Sequence, residues 1–165
     1  MKRLVRQLLY REANINQKLT GRCLCDALEA DWDRLMAETS GADFFRTLTW
    51  LRIYWQHFGQ DQKLRVLVLR DADEVVGILP LVVTSRTSKL GPFRVLSFPL
   101  DGWGSFYGPI GSRADEISEV GLTHVLEQPR DFDYVELPWL SARENLAAAA
   151  VAQLQPTAGN YLRTQ

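Results

Sequence analysis

The densest set of groups able to do chemistry lies in one loop, Pro99-Leu100-Asp101-Gly102-Trp103-Gly104-Ser105-Phe106-Tyr107-Gly108-Pro109-Ile110-Gly111. Trp103, Phe106 and Tyr107 offer faces that can stack on a sugar, an amine or an acyl group, and Asp101 can hold an ammonium or a hydroxyl. In an apolar, concave setting such a small polar set fixes the orientation of a bound small molecule. The competing reading is structural: the glycines and Pro109 shape a long connection whose aromatics pack over a sheet edge. Glu136, at the end of a short apolar run, is a second candidate, since a partly buried carboxylate can serve as general base toward an amine. Its plain alternative is a strand acid facing solvent.

Other chemistries find little footing. Cys23 and Cys25 are the two cysteines and His57 and His124 the two histidines, and their separations match no metal-ligand spacing, so no metal is expected. Reduced thiols in a cytoplasmic protein are the simplest expectation. Gly-x-Ser-x-Gly is absent, and no nucleophile-histidine-acid set can be assembled. Gly102-x-Gly104-x-x-Tyr107-Gly108 approaches the dinucleotide fingerprint without the leading βαβ unit that gives it meaning.

Around this loop the chain divides into readable elements. Asn16 to Leu24 is a weak strand candidate. A helix opens at Asp26 with Leu28, Trp32, Leu35 and Met36 on one face, and stops at Ser40-Gly41. A second runs from Thr47 to Phe58, carrying Trp50, Leu51, Tyr54, Trp55 and Phe58 on one stripe before Gly59. Strands follow at Leu64–Arg70 and Val75–Val83, joined by a polar turn, with Gly77 and Pro80 marking a bulge or splay. A third strand spans Arg94–Phe98. Beyond the loop, a helix from Ala114 to Gln128 turns Ile117, Val120, His124 and Val125 inward, and Tyr134–Leu137 is a short strand. Ser141-Ala142-Arg143-Glu144 is a capping box opening a last helix to about Leu154. The order β-α-α-β-β-β-α-β-α indicates an α/β domain with a mixed, mainly antiparallel sheet flanked by helices.

The bulk properties suit one soluble domain. The 165 residues are 46% apolar and 24% charged, enough to bury one core without disulfide or metal staples. No run approaches the roughly 20 apolar residues of a membrane-spanning helix. A net charge of −1 argues against nucleic acid as partner. Residues 1–22 hold six cations against one acid, a local +5 that leaves −6 of the net −1 for the remainder. Among those cations Leu4, Val5, Leu8 and Leu9 fall at helical spacing, as in a helix lying on an anionic membrane surface. A solvated basic terminus with a few apolar anchors is the more economical reading.

The order of elements, with Trp32-Asp33-Arg34-Leu35, Phe44-Phe45, the Trp50…Trp55…Phe58-Gly59 helix, Val76-Gly77-Ile78-Leu79-Pro80-Leu81 and the Asp101–Tyr107 loop, resembles the GNAT superfamily of N-acetyltransferases. More narrowly it is similar to the bacterial CelD-like acetyltransferases associated with cellulose biosynthesis. The resemblance covers residues 25–155, between a basic N-terminal segment (1–24) and a polar tail (156–165). It implies transfer of an acyl group from acetyl-CoA or another acyl-CoA to an amine or hydroxyl of a small-molecule acceptor, such as a sugar or envelope component. It also implies a longer protein, so the chain is expected to be an amino-terminal half-module lacking the closing strands, completed by a C-terminal half or another subunit. The family's pyrophosphate signature, Gln/Arg-x-x-Gly-x-Gly/Ala, is met here by Pro99-Leu100-Asp101-Gly102-Trp103-Gly104. Pro99 stands at the Gln/Arg position, and the Asp101 carboxylate is unfavourable beside a pyrophosphate. Acyl-CoA is therefore not expected to bind this chain alone, and the alternative is a non-catalytic GNAT-like binding or assembly module.

Overall fold

The computed structural model describes residues 6–12, 27–99 and 107–137. Five strands, β1 (Arg6–Glu12), β2 (Gln62–Asp71), β3 (Glu74–Ser88), β4 (Gly91–Ser97) and β5 (Tyr134–Glu136), form one sheet in the order β1-β2-β3-β4-β5. The first four are mutually antiparallel, and β5 runs parallel to β4. Helices α1 (Glu29–Glu38) and α2 (Leu48–Phe58) lie between β1 and β2 in the chain, and α3 (Ala114–Glu127) carries the crossover from β4 to β5. The domain is thus α/β with a mixed sheet. No described helix is long and apolar enough to cross a membrane.

The two early helices form where their apolar spacing places them. Leu28, Trp32 and Leu35 are buried and Met36 half-buried, while Trp50, Leu51 and Tyr54 are buried with Trp55 and Phe58 packed beside them. No side chain caps α1, whereas side-chain oxygens cap the 3-10 turn that follows it and α2. Asp43 accepts from Phe45 N–H at the short 3-10 turn Phe44–Arg46, and Thr47 accepts from Trp50 N–H at the start of α2. Trp32 Nε1 donates to the Arg46 carbonyl at 2.9 Å, and Tyr54 OH to Gln62 Oε1 at 2.7 Å, so both large polar rings are anchored. Gly59 ends α2 without a positive φ. A Cβ there would lie 2.7 Å from the Trp55 ring, so the glycine makes room for the indole.

β3 is the central strand and exceeds its expected length. Its first half is apolar and buried, as the sequence indicates; its second half, Ser85–Ser88, is exposed and pairs with β4 through Gly91, Pro92, Phe93 and Arg94. That polar arm carries no apolar alternation, so the strand boundaries at Val83 and Arg94 extend to Ser88 and Gly91. The expected irregularity is present. Leu69 pairs with Gly77 but Arg70 with Val75, so Val76 is the extra residue of a bulge. Ile78 turns its N–H and C=O away from β2 to bond Ile110, and by two-residue alternation Pro80 faces the same way. Pairing with β4 begins at Val82. Proline, which has no N–H, therefore sits in the interval between the Ile110 bridge and β4, where a donor would lack a strand partner.

One expectation is corrected. The helical spacing across Leu4, Val5, Leu8 and Leu9 does not give a helix over 6–12; that segment is β1, whose backbone completes the ladder along β2. Two adjacent apolar pairs four residues apart fit either period, and an unpaired strand edge decides in favour of β. On α3 Ile117 and Val125 are buried as expected and Val120 packs half-buried against the core, while Ser118, Gly121 and Leu122 join the buried face and His124 is half-buried. The expected strand at Asn16–Leu24, the helix from Ser141 and the tail at 156–165 lie outside the described residues.

α3 approaches the sheet closely. A Cβ on Gly77 would be 2.4 Å from Ile117 Cγ1, and one on Gly121 would be 2.7 Å from Leu79 Cδ2. Gly77→Ala is expected to lower unfolding stability by about 2 kcal/mol through overpacking, read from urea unfolding midpoints. An unchanged midpoint would show that Ile117 yields without cost.

Candidate functional site

The β4–α3 connection leaves β4 at Ser97, which pairs with Val82, and returns at Ile110, which pairs with Ile78. Both ends therefore hang on one edge of β3, four residues or about 13 Å apart. Asp101, Trp103 and Phe106 lie outside the described residues. Tyr107 lies within them and is buried, its ring 5.3 Å from that of Phe98. One ring face is thus committed to the core. The hydroxyl has no hydrogen-bond partner among the described residues. Burial drives its acidity down strongly, the Arg46 charge only partly opposing this, so it stands as a neutral O–H donor.

Arg46 is the neighbour that the sequence did not announce. It closes the 3-10 turn between α1 and α2, and its carbonyl is held by Trp32 while its side chain crosses to the β4–α3 connection. A Cβ on Gly108 would lie 3.7, 3.8 and 4.0 Å from its Nη2, Cζ and Nη1. Three near-equal distances place the guanidinium flat across Gly108. Arg46 Nε is enclosed, with no partner among the described residues, and the same holds for the indole Nε1 of Trp50. Phe44, half exposed, and Phe45 pack edge-on against Trp50 with centroids 5.8 and 5.1 Å away. The only hint in sequence is one cation inside Phe44-Phe45-Arg46.

Glu136 ends β5, half-buried, and its Oε2 accepts from Arg86 Nη1 on the β3 arm. That oxygen is occupied by the guanidinium rather than presented to a substrate. Two further ion pairs fix the approach to β5. Arg94 holds Asp133, and Asp131 receives Lys63 Nζ at 3.0 Å and the nearly buried Arg65. Burial by itself raises the Asp131 carboxyl, but the Lys63 hydrogen bond and the Arg65 and Lys63 charges outweigh it and hold the group below its ordinary range. Among the described residues no hydrogen bond or ion pair links Glu136, held by Arg86, with Tyr107.

The start of α3, where the connection would present amides to a phosphate, is arranged otherwise. Asp115 and Glu116 occupy its first turn, and no side chain caps it. These carboxylates already complement the helix dipole and repel a second anion. The Gly111 amide donates to Thr39 Oγ1 at 2.8 Å, and a Cβ there would meet Ile117 and the Val76 carbonyl at 2.9 Å. The glycine serves packing between α1, β3 and α3. The described residues of this turn do not fit an acyl-CoA pyrophosphate. Among the described residues no group of three or more His, Cys, Asp or Glu side chains is placed to hold a metal ion.

Compared with protein-family models, with curated proteins and with solved structures, the chain gives no match.

Because the Asp131 carboxyl titrates lower in the folded chain than in the unfolded one, its contribution is complete above the unfolded value near 4 and fades as pH falls through the folded value. Asp131→Asn is therefore expected to lower the urea midpoint at pH 7 and to flatten its fall between about pH 5 and about pH 3. Equal acid slopes for both proteins would remove Asp131 from the acid sensitivity.

Proposed function

We propose that the chain is the acceptor-side module of a GNAT-type acyltransferase, acting on an amine or hydroxyl of a small molecule and receiving the acyl donor from a second half or subunit. The observation that carries this reading is the connectivity. A β-α-α-β-β-β-α-β order lies in a sheet whose strands run in sequence order, with one parallel pair, β4–β5, made by the α3 crossover. In open α/β sheets, ligands bind beyond the carboxyl ends of parallel strands. Here that end is where β4 stops at Ser97 and β5 at Glu136, beside the connection that carries Tyr107.

The division of labour follows from the site. The turn before α3 is filled by its own carboxylates and by the Thr39 bond, so it supports no acyl-CoA grip. A few residues upstream, Tyr107 and Gly108 meet the α1–α2 turn, where Arg46 and Tyr107 bring hydrogen-bond donors together. A face rich in donors and aromatic surface suits an acceptor molecule. The same lack of a pyrophosphate grip also suits a binding module without catalysis.

Two measurements check this reading. Interstrand nuclear Overhauser contacts between 95–97 and 134–136 are expected in the parallel pattern; an antiparallel pattern would remove its foundation. Calorimetry with acetyl-CoA, against coenzyme A, is expected to show no binding at millimolar ligand. Micromolar binding would mean that this chain holds the donor itself and that the division of labour is mistaken.

A further inference from the structure

We propose that the Arg46–Tyr107 corner is a binding site for the carboxylate group of a small-molecule ligand. Its first support is a contrast among arginines. Arg34, Arg52, Arg65, Arg86, Arg94 and Arg113 each hold a carboxylate, and Arg70 donates to the Asp73 carbonyl. The Arg46 guanidinium has no hydrogen bond or ion pair to any described residue, although it is half-buried and its Nε is enclosed. An enclosed N–H donor without an acceptor is costly, and folded chains seldom keep one without use.

The second support is independent. Tyr107, 1% exposed, holds a hydroxyl without a partner close enough to Arg46 to feel its charge. Two nearby acceptors are engaged: Asp43 Oδ1 takes the Phe45 N–H at 3.0 Å, and the Arg46 carbonyl takes the Trp32 indole. Among the described residues the Arg46 Nε–H and the Tyr107 hydroxyl are thus donors that no acceptor takes. The guanidinium lies flat over Gly108 at van der Waals distance, and its planar edge carries paired N–H groups. That planar fork matches the two oxygens of a carboxylate.

Charge selects the same class. One guanidinium balances one negative charge, and the Asp43 carboxylate, which also acts on Tyr107, opposes a second. A carboxylate is therefore favoured over a phosphate dianion. The half-exposed Phe44, two residues away, gives apolar surface for the remainder of the ligand. This deepens the acceptor-side reading, on which it rests for the ligand's role as acceptor: the acceptor bears a carboxylate as well as its amine or hydroxyl. Carboxylate binding itself is tested apart from acyl-CoA.

The test follows the Arg46 Nε–Hε cross-peak by NMR during titration of the purified chain with sodium acetate, with acetamide as neutral counterpart and inorganic phosphate as the competing anion, at constant ionic strength. A saturable shift with acetate, absent with acetamide, is expected. Arg46→Gln, followed through the backbone amides of Arg46 and Gly108, should abolish the response, and Tyr107→Phe should weaken acetate binding about tenfold. Tyr107→Phe should also leave the ligand-free melting temperature unchanged or higher, because it deletes an unsatisfied buried hydroxyl; this separates lost binding from lost folding. No shift with acetate, or equal shifts with acetate and acetamide, would overturn the proposal. A tighter response to phosphate would overturn the carboxylate assignment. Acetate binding without acetyl-CoA binding supports both readings, whereas acetate binding together with micromolar acetyl-CoA binding would keep this site and sink the division of labour.

Discussion

The closeness of α3 to β3 is the constraint from which the rest of the molecule follows. Ile117 sits where Gly77 and Gly111 both lack a side chain, and Leu79 occupies the space that Gly121 leaves on the helix. Any Cβ at these glycines would fall within 2.9 Å of a neighbouring atom. The helix therefore rests almost on the backbone of the strand, and the Val76 bulge beside Gly77 bends the strand where the contact is tightest. The same contact fixes the end of the β4–α3 connection, because Gly111 is pinned between Ile117, the Val76 carbonyl and Thr39. Ile110 is then held on Ile78, and three residues upstream Tyr107 is delivered to Arg46.

From this follows a separation of chemical character along one connection. At its α3 end, amides are committed to packing and carboxylates line the first helical turn. A few residues upstream, Tyr107 meets Arg46 of the α1–α2 turn, and the two supply donors that no described acceptor takes. The remaining charges are largely paired for structure: Asp131 with Lys63 and Arg65, Asp133 with Arg94, and Glu136 with Arg86 tie β5 and its lead-in to the older part of the sheet. Surface pairs of this kind contribute little each. Against that consistency the Arg46 corner stands out, since its guanidinium is paired with none of the described residues.

Much of the scaffold is legible in the sequence because its signals are local. Trp32 and Leu35, or Trp50, Leu51 and Tyr54, recur at helical spacing, and Thr47 caps α2 as a threonine before an apolar run should. Gly77 and Pro80 mark the irregular stretch of β3, although the reason for Gly77, the Ile117 side chain, belongs to a helix forty residues away. What the sequence hides is relational. β1 is a strand because β2 has an edge to fill, and the polar arm of β3 is a strand because β4 returns along it. Tyr107 reads as an open stacking surface in a glycine-rich loop, yet Phe98 covers one face of its ring. Arg46 reads as one cation after a pair of phenylalanines, and that no described residue pairs with its guanidinium appears only in the fold.

The central claim is that ligands are received at the α1–α2 corner and not at the start of α3. A crystal structure of the chain grown with a small carboxylate tests it most directly. The account predicts a carboxylate bound edge-on to the Arg46 guanidinium, with Tyr107 OH turned toward it. A carboxylate seated on the first turn of α3, or an Arg46 side chain swung into solvent with the corner closed behind it, would contradict the claim.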